Sequence, residues 1–179
     1  MPPDLPTDSV QFRAVNDRDL PTVADIIRRA WAPVADLVGM TPDKAPTFAA
    51  YVTAESLHSY LREREMTMFV MLLSGEIVAC GAVSLDPEDP GVGVINRVAV
   101  RPELQGRGLG KGIVRFLENE LIRRGAQTVR LGHVTANEPL HDFYTRLGYT
   151  TIDTRISDGW GIPITYKEKQ LTPVPGGES

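Results

Sequence analysis

Cysteine, histidine and long apolar runs are scarce in this chain. Cys80 is the only cysteine, which rules out an intrachain disulfide and leaves a thiolate zinc centre without ligands. It lies in the apolar run 77–83, where a small buried hydrophobe is expected rather than a nucleophile. His58, His133 and His141 are the only histidines and have no metal-ligand spacing, so no metal is expected. No uninterrupted apolar segment reaches the length of a bilayer span. The opening MPPDLPTDS has neither a basic stretch nor the apolar core of a signal peptide. The expectation is therefore a cytoplasmic protein with no membrane partner. Basic excess is missing too. A net charge of −4 gives no global support to a nucleic-acid partner.

What is present is an ordinary globular balance, 42% apolar and 23% charged residues over 179 positions, enough for one domain with its own core. Proline and glycine mark residues 1–9 and 172–179 as flexible tails, leaving 10–171 as the domain. No internal repeat interrupts it. Residues 10–15 read as a strand. Asp19 can cap a helix with Pro21 in its first turn and Leu20, Val23, Ile26, Ile27, Ala30 and Trp31 on one face. A second helix covers 54–64, and 66–73 with 77–85 reads as a hairpin around Ser74-Gly75. After an acidic turn-rich loop, where Asp86, Glu88 and Asp89 are read as turn chemistry, Ile95–Val100 is a β-branched strand. Thr128–Val134 is another. Asn137 opens a short helix that Gly148 closes, and 149–156 and 163–169 are closing strands.

The densest stretch is Val94–Leu121. The strand at Ile95–Val100 runs into Gln105-Gly106-Arg107-Gly108-Leu109-Gly110-Lys111, after which Leu109, Ile113, Phe116, Leu117 and Leu121 recur at helical spacing. A strand, a glycine-rich turn and a helix start present several backbone N–H groups to an anion. Arg97, Arg101, Arg107, Lys111 and Arg115 surround the turn, with Glu103 the only acid among them. That local field suits a small polyanion. Two familiar phosphate loops do not fit. A Walker A loop needs glycine at Gln105 and a hydroxyl at Gly112, and the alternating glycines do not match a dinucleotide fingerprint.

What does fit is Gln-x-x-Gly-x-Gly over Gln105, Gly108 and Gly110, after a strand ending Val98-Ala99-Val100. Asn137, Phe143, Tyr144, Gly148 and Tyr149 supply a second patch, Asn-x(5)-Phe-Tyr-x-x-x-Gly-Tyr. In both, and in the order of its elements, the chain resembles the GCN5-related N-acetyltransferases (GNAT). The resemblance spans roughly residues 10–171. It implies an α+β fold, a mixed and mostly antiparallel central sheet of about seven strands with helices on both faces. It also implies acetyl-CoA as co-substrate and direct attack by an amine in a ternary complex.

By this resemblance, the backbone of Val98, Ala99 and Val100 pairs with the pantetheine arm, with an N–H near Val98 on the thioester carbonyl. Gln105, Gly106, Arg107, Gly108, Leu109, Gly110 and Lys111 cradle the pyrophosphate. Asn137 contacts the arm or caps its helix. Tyr144 protonates the leaving sulfur. Two branches of the family carry a base here as glutamate, one at the position of Val94 and one at that of Gly132. Neither carboxylate is present, which points away from protein acceptors and leaves the base open. His133 adjoins Gly132, but strand alternation aims it at the opposite face. The expected acceptor is a small-molecule primary amine, cationic or amphipathic, between walls supplied by Trp31, Tyr51, Tyr60, Asp153, Asp158 and Trp160. A protein or peptide acceptor and a non-catalytic acyl-CoA-binding module are the alternatives, and a homodimer is left open.

Overall fold

The computed structural model describes residues 10–173; the tail expected at 1–9, and all but the first two residues of the one expected at 172–179, lie outside them. Seven strands form one sheet in the order β1-β2-β3-β4-β5-β7-β6. They are β1 (Val10–Ala14), β2 (Thr67–Leu73), β3 (Glu76–Leu85), β4 (Val92–Val100), β5 (Thr128–Val134), β6 (Thr150–Ile156) and β7 (Pro163–Gln170). Every neighbouring pair is antiparallel except β4 and β5. The helices are α1 (Leu20–Leu37), α2 (Ala54–Glu63), α3 (Leu109–Arg123) and α4 (Glu138–Arg146).

Alternation along the strands sends side chains to two cores. Val70 and Leu72 join Val23, Ile27 and Leu57 of α1 and α2 on one face. Phe69 and Met71 join Ile113, Leu117 and Leu121 of α3 on the other, and Tyr144 of α4 belongs to the same cluster. Glycine sets how closely α3 lies on the sheet. A Cβ at Gly93 would stand 2.6 Å from Leu121 Cδ2, and one at Gly81 2.4 Å from Leu117 Cδ1. Cys80 is fully buried, and desolvation pushes its thiol up to about 12, as expected of a hydrophobe rather than a nucleophile.

The start of α1 differs in detail from the sequence expectation. Asp19 stands at the N-cap position of α1 but makes no side-chain cap bond to the helix. Its carboxylate accepts instead from the Asn16 N–H at 2.8 Å and from Arg13, closing the preceding turn. The helix also continues past Trp31 and through Pro33 to Leu37. Proline removes one helical N–H there, and burial of Ala35 and Met40 against Phe48 holds the segment down.

Candidate active site

The site begins where the sheet opens. Only Val92, Gly93 and Val94 of β4 pair with β5, opposite Thr128, Val129 and Arg130. From Ile95 to Val100, β4 keeps β3 on one side and has no strand on the other. Unpaired backbone at such an edge is a template for an extended ligand. On the β3 side the register jumps, with Cys80 opposite Ala99 but Ala82 opposite Asn96. Arg97 and Val98 therefore form a bulge against Gly81, and Arg97 takes φ 55°. A non-glycine residue in the left-handed region costs about 1–3 kcal/mol, and such strain gathers at functional sites. The bulge re-aims the chain. Ile95 and Val98 pack toward α3, whereas the Arg97 guanidinium lies 4.5 Å from the Tyr60 ring centroid on α2.

A cavity of about 1020 Å³ fills the gap and the space beneath α1 and α2. Trp31, Tyr60, Val94, Gly132, Tyr144 and Trp160 are among its walls. Trp160, in the β6–β7 loop, donates from Nε1 to Thr47 Oγ1 at 3.2 Å and meets the Phe48 ring edge-on at 4.8 Å. Phe48 in turn packs edge-on against Trp31. The β6–β7 loop and the segment before α2 are thereby pinned into one rim. Three of the six expected acceptor walls are here, namely Trp31, Tyr60 and Trp160. The Tyr51 hydroxyl is spent on the Met40 carbonyl at 2.8 Å, and Asp153 and Asp158 are not among the lining residues.

The glycine turn leads into α3 at the end of the open strand. Gly106 and Gly108 adopt φ 80° and 81°, and a Cβ on either would meet nothing within 4 Å. Gly108 is the N-cap of α3 and contributes no side-chain cap, so the first-turn N–H groups lack intrahelical partners. The Gln105 side chain donates to the Val100 carbonyl at 3.2 Å, which ties the turn to the strand. Leu109 is buried, and Gly110 allows Phe143 of α4 to approach; a Cβ there would stand 3.3 Å from its ring. Open backbone, free N–H groups and the exposed Arg107 and Lys111 fit a bound pyrophosphate. The five basic residues do not act as one group, however. Arg97 faces the cavity on the α2 side, and Arg101 is paired with Glu76 at 3.2 Å.

Tyr144 stands at the other wall of the gap. Its ring is buried, 5.1 Å from Phe143 and 5.5 Å from Tyr149, and the residue lines the cavity. Burial raises its pKa above the ordinary phenol value, so the hydroxyl holds its proton at neutral pH. Asn137 caps α4, accepting from the Leu140 N–H at 3.4 Å. A Cβ on Gly132 would stand 3.2 Å from Ile164 Cγ2 and Tyr166 Cε1, so β7 occupies the space a longer side chain would need. His133, next to Gly132 on β5, meets the His141 ring of α4 edge-on at 5.4 Å and also lines the cavity. It is buried, with Nδ1 2.9 Å from the Val134 carbonyl. Among the described residues no group of His, Cys, Asp or Glu is placed to hold a metal ion.

The sequence profile of the acetyltransferase (GNAT) family matches residues 31–149, two thirds of the chain. The chain belongs to that family. GNAT proteins of known structure share its fold. Ribosomal-protein-S18-alanine N-acetyltransferase from Escherichia coli is 18% identical, with 95% of this chain and 99% of that chain covered and a TM-score of 0.67. The yncA protein of Salmonella typhimurium, solved with its cofactor acetyl-CoA, is 16% identical, with 96% and 99% covered and a TM-score of 0.68. The paia N-acetyltransferase from Thermoplasma acidophilum, solved with coenzyme A, is 16% identical, with 90% and 99% covered and a TM-score of 0.71. No curated protein sequence matches the chain. The expected α+β fold is the fold observed. No helix among the described residues is long and apolar enough to cross a membrane.

Arg97 is the cavity residue that sequence reasoning misplaced. The pattern Val-Ile-Asn-Arg-Val-Ala-Val is an unbroken strand by composition, and the bulge that turns Arg97 toward α2 leaves no mark in it. A lone arginine amid β-branched residues was the one available signal.

Proposed function

We propose that this protein transfers the acetyl group of acetyl-CoA to the primary amine of a small molecule by direct attack in a ternary complex. The observation that carries the reading is the convergence of three parts on one gap. These are the open β4 backbone from Ile95 to Val100, the glycine turn at its end, and Tyr144 in the cavity wall.

Acetyl-CoA supplies the acetyl group as a thioester whose sulfur leaves as a thiolate. In this reading the N–H groups of Gln105–Lys111 and the helix start hold the pyrophosphate. The backbone of Val98, Ala99 and Val100 holds the pantetheine arm. Tyr144 keeps its proton at Oη in the resting enzyme and gives it to the departing sulfur. Asn137, capping α4, fixes the helix that carries Tyr144.

Two features favour a small acceptor over a protein chain. A cavity of about 1020 Å³ is of the size that encloses small ligands, roughly 300–1,000 Å³. Part of its rim is also pinned by the Trp160–Thr47 bond. The carboxylates that mark the protein-acetylating branches are replaced by Val94 and Gly132.

Thiol release from acetyl-CoA, followed with a panel of small amines and a panel of peptide N-termini, tests the proposal. Faster release with small amines is the expected result. Acetylated peptides with no small amine turned over would assign a protein acceptor. Acetyl-CoA binding with no amine-dependent release would make the chain a binding module.

A further inference from the structure

We infer that the acceptor amine carries a carboxylate, which Arg97 holds; this rests on the small-amine reading above and narrows it to amino acids and their close relatives. The β4 bulge puts Arg97 on the cavity side of the sheet in a left-handed conformation. Its guanidinium lies over Tyr60, and its Nε is buried with no hydrogen-bond partner. Arg64 lies 4.9 Å from the same ring centroid. Neither arginine has an ion pair among the described residues, whereas Arg13, Arg29, Arg101 and Arg130 each have a close carboxylate.

A guanidinium does not lose its proton at neutral pH. The cavity therefore keeps a half-buried cation with an unmet donor, beside a second cation. Burying such a group is costly unless an anion pairs with it. Glu55, Glu63 and Asp86 also line the cavity, yet among the described residues none forms an ion pair with Arg97 or Arg64. The missing partner is then a ligand anion. A carboxylate matches the guanidinium edge with two parallel bonds. Arg97 adjoins Val98, the residue assigned to the thioester carbonyl, so an anion held there is near the reacting amine. An amine and a carboxylate in that proximity describe an amino acid. The aromatic walls, Trp31, Tyr60 and Trp160, favour one with an apolar or aromatic side chain. This narrows the cationic or amphipathic amine expected from the sequence, since Asp153 and Asp158 are not among the lining residues whereas Arg97 and Arg64 are.

Matched pairs test the inference: L-tryptophan and tryptamine, L-leucine and isopentylamine, L-histidine and histamine. With the native protein, kcat/KM should be at least about tenfold higher for the carboxylate member, mainly through KM, as charge-assisted bonds made equally in ground and transition states require. R97Q should bring the ratio close to one, and R97K should restore part of it, each variant being checked for folding by its thermal transition. A measurement on the native protein alone stands beside these. Indole-3-propionate should compete with the amine and its neutral amide should not. Decarboxylated members used as well as their partners by the native protein, or a ratio that survives in folded R97Q, would overturn the carboxylate site alone. No turnover of any small amine, with peptides acetylated, would instead overturn the small-amine reading and this inference with it.

Discussion

The Tyr149 hydroxyl donates to Glu118 Oε1 at 2.7 Å, joining the chain just after α4 to the middle of α3. Lys169 of β7 completes the junction, with Nζ 3.1 and 3.2 Å from the two carboxylate oxygens. Glu118 and Tyr149 are both buried, and the Tyr149 phenol is held above its ordinary pKa by burial and by the Glu118 charge. Its ring is 5.5 Å from that of Tyr144. The pair thus fixes α4, and with it Tyr144, against the helix that follows the glycine turn.

Removing that bond should be measurable as stability. Tyr149→Phe leaves Glu118 with Lys169 as its only partner and should cost about 1.5–3 kcal/mol, the contribution of a hydrogen bond to a charged group. Urea unfolding checks it. An unchanged midpoint would mean that Lys169 alone satisfies the carboxylate.

Gly108→Asp should weaken acetyl-CoA binding by about tenfold or more, or ~1.4 kcal/mol. The position has φ 81° and caps α3, so aspartate adds both backbone strain and a negative charge beside the phosphates. Calorimetric titration reads the change. Equal affinity in a folded mutant would move the cofactor site elsewhere.

Tyr144→Phe should lower kcat by about 10²–10⁴-fold, the usual share of a general acid, with acetyl-CoA affinity nearly unchanged. The hydroxyl is assigned to a sulfur charge that appears only as the bond breaks. Steady-state kinetics beside calorimetry separates the two quantities. An unaltered kcat would reduce Tyr144 to a core residue.

Acid should destabilise the fold through His133. Burial depresses its pKa below the ordinary value of about 6.5, and the neighbouring His141 and Lys167 act in the same direction, opposed by the Val134 carbonyl. The folded state then binds fewer protons than the unfolded state. Stability that is full above pH ~6.5 is lost as pH falls toward and through the depressed folded-state pKa. Paired urea titrations at pH 8 and pH 5 should show a larger loss in the native protein than in His133→Gln. Equal losses would show that His133 does not carry the acid sensitivity.

The sequence by itself determined the elements, their order and the two patches by which the chain resembles its family. Periodicity placed a helix at 54–64, where α2 runs Ala54–Glu63, and a strand at Thr128–Val134, where β5 lies, because local apolar spacing reflects which face is buried. The alternating glycines announced a backbone open to a phosphate because only a residue without Cβ takes φ near 80° freely. Tertiary structure alone decided which side each residue serves. Local pattern shows that Ile95–Val100 is a strand, but not that β5 leaves it after Val94. Nor does it show that a bulge opposite Gly81 turns Arg97 out of the basic cluster and over Tyr60. Sheet splay and bulges arise from how neighbouring strands pair over long sequence separations, and the charge that lines the cavity follows from that pairing.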